Sequence, residues 1–231
     1  LVRLVHVRDP HRLLAAGRFR LRLSTPVAAL HRRPQAVALR LAGGGSETFD
    51  AVVVATHADQ ALRLLSDPSA HECALLRPFK TSANRVILHR DPVFMPRRRR
   101  FWSAWNYRGS EGGHDRQLSV TYWMNALQKL DTPTQHFVSL NPQAEPESHL
   151  IDGTFHYRHP LFNAETLTAQ RELWSLQGVN RTWFCGAWFG AGFHEDGLQA
   201  GLAVAEQLGG VDRPWRVAEP SGRVWINPTG N

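Results

Sequence analysis

One stretch limits the possible folds more than any other: Phe49-Asp50-Ala51-Val52-Val53-Val54-Ala55-Thr56. Its apolar, β-branched residues run on without alternation and end in small ones, the pattern of a strand covered on both faces. Strands of that kind belong to parallel sheets flanked by helices, so a central parallel strand is expected here. The next residues agree. Residues 58–65 carry apolar side chains at helical spacing, and Ser66-Asp67-Pro68 offers a cap and a first-turn proline for a second helix towards Leu76.

The flanking segments follow other patterns. Residues 18–23 alternate basic and apolar side chains with period two, which predicts a strand with its arginines facing water. Thr25-Pro26 breaks it, residues 27–31 and 36–41 predict two further short strands, and Gly43-Gly44-Gly45-Ser46 predicts a tight turn, so this part is a small meander. Residues 84–89, 101–106, 117–125 and 137–140 are strand-like and separated by polar loops, implying a mostly antiparallel sheet. After residues 153–158, Asn163 can cap a helix through Leu167, Gln170, Leu173 and Trp174, and a short apolar strand over 182–185 follows. The glycine-rich run 186–192 then leads through Glu195-Asp196-Gly197 into a helix expected over 198–208. Residues 211–231 hold three prolines and little periodicity, which predicts an extended or disordered tail.

At 231 residues, 42% of them hydrophobic, the chain can bury a sizeable core in one or two domains. No run approaches the roughly 18 apolar residues of a membrane span, so no transmembrane segment is expected. The opening Leu1-Val2-Arg3-Leu4-Val5-His6-Val7 carries neither Met nor a signal pattern and reads as a piece of a longer chain. Cys73 and Cys185 lie far apart in apolar settings, which suits reduced core thiols and with them a cytoplasmic location. The formal charge of +7 comes almost wholly from arginine, since Lys80 and Lys129 are the only lysines. Apart from Arg97-Arg98-Arg99-Arg100 the arginines are scattered. No basic helix or aromatic-rich RNA motif accompanies them, so a solvated basic loop is expected and nucleic acid is not.

Three other chemistries find little support. His156 and His159 lack Cys or carboxylate partners at ligand spacing, so no metal site is expected. Near a redox cofactor either could shuttle protons, and the plainer alternative is an exposed or merely satisfied side chain. Ser119, Ser139 and Ser175 lack the Gly-x-Ser-x-Gly elbow of nucleophilic hydrolases.

The turn over residues 186–198 is where chemistry concentrates. Its glycines let backbone approach a ligand closely, and the helix that follows opens with N–H groups that attract negative charge. Glu195 and Asp196 stand where they could cap those groups themselves, and the spacing leaves both readings open.

Gly192-Phe193-His194-Glu195-Asp196-Gly197-Leu198-Gln199-Ala200-Gly201 resembles the closing FAD motif of the flavin amine oxidases, aromatic-x-Glu-small-small-x-x-x-Gly. Pro26-Val27, Ala36-Val37-Ala38-Leu39, Phe49-Asp50 and Val52-Val53-Val54-Ala55-Thr56 resemble the same family's central segment, in order and at plausible distances. Thr56-His57-Ala58-Asp59-Gln60-Ala61 and Tyr122-Trp123-Met124-Asn125 are similar to bacterial NAD/FAD-binding amine-oxidase-like proteins. The resemblance covers residues 18–210 and implies an FAD-dependent oxidoreductase acting on a small molecule. The fold it implies is mixed α/β. Residues 1–76 and 163–210 would form a partial FAD-binding Rossmann-like domain, 77–162 an inserted, mostly antiparallel substrate-domain sheet, and 211–231 a tail.

Carried over position by position, the resemblance implies that Val27 meets the adenine through its backbone, while Ala55 and Thr56 line the nucleotide. Gly186, followed by Ala187, would pass near the pyrophosphate or ribityl chain. Glu195 is the acidic residue of the motif, and Asp196, Gly197 and Leu198 would offer backbone N–H groups to the pyrimidine edge of the flavin. Phe193 falls where the family places an aromatic wall beside the flavin, with core packing as the alternative. Asn84 falls where many members carry a lysine that holds a water against the flavin; an amide can orient water but adds no charge. That departure, Ala187 in place of a frequent acidic residue, and Phe193 in place of a phenolic ring shift the expected substrate. It moves from an amine oxidised with oxygen towards an apolar, lipid-like molecule that is dehydrogenated or isomerised.

FAD sites of this class also use Gly-x-Gly-x-x-Gly after a first strand, and the sequence has none; Gly190-x-Gly192 is followed by Phe193-His194-Glu195. By itself the chain is therefore expected to bind FAD weakly, to purify colourless, and to aggregate unless another chain covers its sheet edge. Two other classes stay in view: a non-catalytic binding module that kept the fold, and a basic protein of nucleic acids or membrane surfaces.

Overall fold

The computed structural model describes residues 19–109, 118–216 and 222–226. They fall into two compact units, one of Arg22–Thr81 with Pro160–Asn231, the other built on Ser82–His159.

The first unit opens with a meander of β1 (Val27–Arg33), β2 (Ala36–Leu41) and β3 (Ser46–Phe49), antiparallel and adjacent in that order; β1 and β2 were expected, whereas β3 was not. β4 (Val52–Val54) then pairs in parallel with β10 (Thr182–Phe184), Val54 opposite Phe184. The parallel strand predicted from 49–56 thus exists but keeps only three residues, because Phe49 is drawn into β3, where it pairs with Val37 of β2; it is not central and not covered on both faces, since its sheet has two strands and Val53 is exposed. α1 (Ala58–Leu64) follows as expected, and Ser66 ties its end to β1 by donating both its N–H (3.0 Å) and its hydroxyl (2.8 Å) to the Leu30 carbonyl. Ser66 is therefore not the cap of α2 (Ala70–Leu76). Ser69 is, its hydroxyl accepting from the Glu72 N–H at 3.1 Å while the Glu72 carboxylate accepts from the Ser69 N–H at 2.8 Å.

The same carboxylate pairs with Arg32 of β1, and both side chains are almost wholly buried. Arg32 also donates to the Asp67 carboxylate (3.0 Å) and carbonyl (2.7 Å), so the ion pair is hydrogen-bonded on every side and fastens the meander to α2. α4 (Ala164–Gln170) starts at Asn163 as expected, with the Asn163 side chain accepting from the Thr166 N–H at 2.9 Å. α5 (His194–Gly209) is the longest helix and ends at Gly210 in the left-handed region. One core joins these elements through Leu30, Val37, Leu76, Leu173, Phe184 and Val204. Burying each such side chain contributes about 1.5–3 kcal/mol, which is why the meander and the helices hold to so short a parallel pair.

Two expectations for the two ends of the described chain fail. Residues 19–23 form no strand: Phe19, Leu21 and Leu23 are exposed, no described strand offers them a ladder, and Arg22 instead pairs with Glu47 of β3. Residue 18 lies outside the described residues. In the tail, 211–216 and 222–226 are irregular as predicted, but Val224 is buried in the core, so this part is packed and not loose. The remaining tail residues lie outside the description.

The second unit is an antiparallel sheet of β5 (Lys80–His89), β6 (Trp105–Gly109), β7 (Leu118–Trp123), β8 (Phe137–Leu140) and β9 (Ile151–Leu161), ordered β6-β7-β8-β5-β9. Its core includes Ile87, Phe94, Val120 and Phe137. Where a strand over 101–106 was expected, residues 99–101 make a 3-10 turn and β6 begins only at Trp105, because the Trp102 indole donates to the Pro96 carbonyl (2.8 Å) and closes the preceding loop. Met124 and Asn125 belong not to β7 but to α3 (Met124–Gln128).

Candidate functional site

Ligands in open α/β sheets sit beyond the carboxyl ends of the parallel strands. At that end of the β4–β10 pair, the Cys185 N–H donates to the Val54 carbonyl at 3.1 Å, and one step further the Trp188 indole donates to the Thr56 carbonyl at 3.0 Å. The two distant sequence blocks therefore meet here. Gly186 makes this possible: its φ is +148°, and a Cβ there would lie 2.6 Å from the Trp188 indole nitrogen. Residues 187–189 then form a 3-10 turn whose Ala187 carbonyl accepts from the N–H groups of Gly190 and Gly192, both at 3.1 Å.

Two buried glutamines hold this arrangement. The Gln170 amide donates to the carbonyls of Trp188 (2.9 Å) and Gly190 (2.7 Å), clamping the glycine turn to α4. Gln177 brackets β10, donating to the Phe184 carbonyl and accepting from its N–H, each at 2.8 Å. Neither was expected from the sequence. The available signal was Gln170 itself, a polar residue on the apolar stripe 167–174.

α5 starts at His194, four residues before the predicted Leu198. Asp196 consequently sits inside the first turn, fully buried, where its carboxylate accepts from the Phe193 N–H at 2.9 Å and from Arg223 Nε at 2.7 Å. The N–H groups of Asp196 and Gly197 both close onto the Phe193 carbonyl, at 3.0 and 3.2 Å. Self-capping, one of the two readings the sequence left open, is thus what Asp196 does. Gly197 packs on the glycine turn, where a Cβ would come within 3.4 Å of Ala187 N. Glu195 is exposed and accepts from the Gln199 amide at 2.9 Å.

What this site presents outward is apolar. Ala55 is exposed, and Phe193 and Leu198 are each 56% exposed. Core packing is therefore not the role of Phe193, whose ring has the Arg223 guanidinium 5.8 Å away. Thr56 and Ala187 are half-buried beside the Trp188 link. Val27 lies at the start of β1, in the meander, half-buried against the common core. A flat ring set against the turn suits these residues: an exposed aromatic, an exposed leucine, a side-chain-free backbone at Gly192, and a helix start. The Gly-x-Gly-x-x-Gly pattern of a pyrophosphate loop is not among them.

Asn84 belongs to the second unit, in β5. Its amide donates to the Ser82 carbonyl (3.1 Å) and hydroxyl (3.0 Å) and accepts from the Asn141 amide (2.8 Å), so each of its polar atoms already has a partner. His156 and His159 are exposed on β9. The second unit also contains a buried chain of His89, Ser139 and Thr121, with 2.9 Å from His89 Nε2 to the Ser139 hydroxyl and 2.7 Å on to Thr121. It is not a nucleophile and base. The Asp91 N–H donates to His89 Nδ1 at 3.2 Å, so the ring proton sits on Nε2 and points at the serine. Burial, though partly offset by Asp91 and Asp152, also lowers the His89 pKa and keeps the ring neutral. Among the described residues no three His, Cys, Asp or Glu side chains gather to hold a metal, and no helix is long and apolar enough to cross a membrane. Cys73 and Cys185 are free thiols, and burial pushes the Cys185 pKa up, away from reactivity.

Comparison with known proteins points the same way. The family model described as flavin containing amine oxidoreductase matches residues 8–209. No curated protein matches. Three of the similar solved structures are a fatty acid isomerase from P. acnes that produces CLA, a putrescine oxidase triple mutant and a reduced UDP-galactopyranose mutase. The isomerase is 12% identical with a TM-score of 0.61, over 85% of this chain and 50% of that one. The oxidase is 11% identical with a TM-score of 0.56, over 87% and 52%. The mutase is 12% identical with a TM-score of 0.54, over 84% and 49%. Likenesses this distant speak for the fold alone, a partial Rossmann-like α/β arrangement. The chain spans about half the length of each of these structures.

Proposed function

The chain belongs to the flavin containing amine oxidoreductase family, and from that premise we propose that it forms one side of an FAD site in an oxidoreductase that takes hydride from a small-molecule substrate. One observation carries this reading: beyond the carboxyl ends of β4 and β10, the Trp188–Thr56 bond locks the glycine turn to the segment that leaves β4, with Ala55, Phe193 and Leu198 exposed. Bound FAD would supply the two-electron acceptor. The chain's own residues bind and orient. In this reading Val27 meets the adenine, Ala55 and Thr56 the nucleotide, and Gly186 with Ala187 the linking chain. The turn from Glu195 through Asp196 and Gly197 to Leu198 lies at the pyrimidine edge, and Phe193 walls the substrate side. The first unit then serves as the FAD-binding domain and the second as the substrate domain. Two free thiols support a cytoplasmic protein.

A second reading, desaturation or isomerisation of an apolar, lipid-like substrate, is favoured by Asn84. Its amide is committed to Ser82 and Asn141 and brings no positive charge, so it is a weak holder of a reactive water. The full-length protein carrying this chain decides between these readings. It is expected to purify with flavin absorbance, to be bleached anaerobically by its substrate class, and to lose flavin when Phe193 and Leu198 are changed together to serine. Fast bleaching by amines alone sinks the lipid reading. Bound flavin that neither amines nor lipids reduce points to a non-catalytic relic, and a protein free of flavin after reconstitution with FAD sinks the whole proposal.

A further inference from the structure

In the second unit, residues 97–101 form a loop, Arg97-Arg98-Arg99-Arg100-Phe101, each residue of which is exposed, with a built base. The Trp102 indole donates to the Pro96 carbonyl at 2.8 Å and closes the loop at its neck, while the N–H groups of Phe101 and Trp102 bond the carbonyls of Arg98 (2.9 Å) and Arg99 (3.0 Å). Trp102 is itself wedged edge-on against Trp123 and Phe137, at 5.3 and 5.6 Å. The loop is therefore a fixed platform. Among the described residues no carboxylate pairs with any of its four arginines, and Arg98, Arg99 and Arg100 line a shallow depression of about 370 Å³.

The platform is not only cationic. Phe101 is 58% exposed, and Val93 in the preceding 3-10 turn is 62% exposed, its carbonyl tied to Arg108 of β6 at 3.2 Å. Unpaired arginines beside protruding apolar side chains without hydrogen-bonding groups match the two layers of a membrane surface, phosphate above and hydrocarbon below. They match a nucleic acid less well. The guanidinium of Arg100 stands 5.0 Å over the Phe101 ring and that of Arg99 5.4 Å over the Trp102 ring, so cations already cover the aromatic faces on which bases would stack.

We propose that this loop is a docking surface for an anionic phospholipid bilayer, with Arg97–Arg100 on the headgroup phosphates and Phe101 and Val93 entering the acyl boundary. The attachment is peripheral and independent of whether flavin is bound.

Co-sedimentation of the full-length protein with vesicles tests it, comparing phosphatidylcholine alone with phosphatidylcholine containing phosphatidylglycerol, at low and high salt. Binding is expected only to the anionic vesicles and is weakened by salt. An arginine near such a surface is worth roughly fivefold in partitioning, so changing Arg97, Arg98, Arg99 and Arg100 together to serine lowers binding by about 10²–10³-fold. Phe101→Ser lowers it by about tenfold through lost apolar burial. All five positions are exposed, so unchanged circular dichroism accompanies the loss, and Arg33→Ser, exposed in the other unit, leaves binding intact. Equal binding to neutral vesicles, no binding to anionic ones, or full binding by the arginine variant overturns the proposal. So does a DNA duplex that displaces the protein from vesicles and binds more tightly than they do.

Discussion

Gly186→Ala tests the joint on which the candidate site rests. The residue sits at φ +148° and ψ 169°, a region essentially confined to glycine, so a side chain there costs about 1–3 kcal/mol in backbone strain alone. The added Cβ would also lie 2.6 Å from Trp188 Nε1 and 2.8 Å from its Cδ1, closer than real contacts allow. The indole cannot yield freely: it is buried, with Phe79 at 5.2 Å and Phe189 at 4.5 Å between ring centres. Forcing it aside costs about 1–3 kcal/mol of overpacking and gives up its bond to Thr56, worth about 1 kcal/mol.

The loss should come to about 3–7 kcal/mol, a large part of the roughly 5–15 kcal/mol available to a domain. Urea unfolding of the full-length protein, followed by far-ultraviolet circular dichroism, measures it. Gly192→Ala is the control: φ is +91° there as well, but its Cβ would meet only the Phe162 ring, 3.2 Å away and partly exposed, so a smaller loss of about 1–2 kcal/mol is expected. A Gly186→Ala protein that loses under about 1 kcal/mol would falsify the account, because the indole would then not be locked beneath the glycine.

Three further outcomes are expected. Glu72→Gln should cost about 1.5–3 kcal/mol by leaving the buried Arg32 guanidinium with Asp67 as its remaining carboxylate, and a double-mutant cycle of Glu72→Gln with Arg32→Met should show that the two sites are coupled. Burial works to raise the Glu72 pKa, but the Arg32 guanidinium and the Ser69 N–H and hydroxyl outweigh it and hold it below 4.5; its stabilisation is therefore full above pH 4.5 and lost as pH falls through the folded-state value. His89 has the same sign: burial holds its pKa below 6.5, so unfolding midpoints should drop as pH falls below 6.5, and His89→Leu should flatten that slope. Gly201→Ala, with open space around its would-be Cβ inside α5, should stabilise the protein by about 0.5–1 kcal/mol; flavin content that falls while stability rises would mark Gly201 as a place of close ligand approach.

The elements most legible in the sequence were those whose partner is local. The meander could be read because Pro34-Gln35 separates two short apolar strands and Gly43-Gly44-Gly45 ends the second, and α4 because Asn163 and Thr166 cap each other within one turn. The misreadings came where a distant group decides. Residues 19–23 have the right alternation but no strand to pair with, and alternation without a ladder does not make a strand. Residues 101–104 are aromatic and strand-like, yet the Trp102 indole bonds back to Pro96 and turns the chain. The meeting of Thr56 with the glycine turn was anticipated from the family pattern; the bond that makes it, from an indole 132 positions away in sequence, leaves no trace in local spacing.

Asp196 shows how far spacing can reach into a site. A carboxylate in the first turn of a helix is compatible both with a start reserved for an anionic ligand and with a start that caps itself, and the local sequence is the same in each case. What separates them is the burial of the group and its company. Fully buried and bonded to the Phe193 N–H, the carboxylate would cancel much of the positive end of α5 if it stood alone. Arg223, 27 residues on in a segment with no periodicity, returns the opposite charge at 2.7 Å. The buried cap is thus a charge-paired one. A stretch that composition marked as a tail, residues 222–226, contributes the cation that pairs with it.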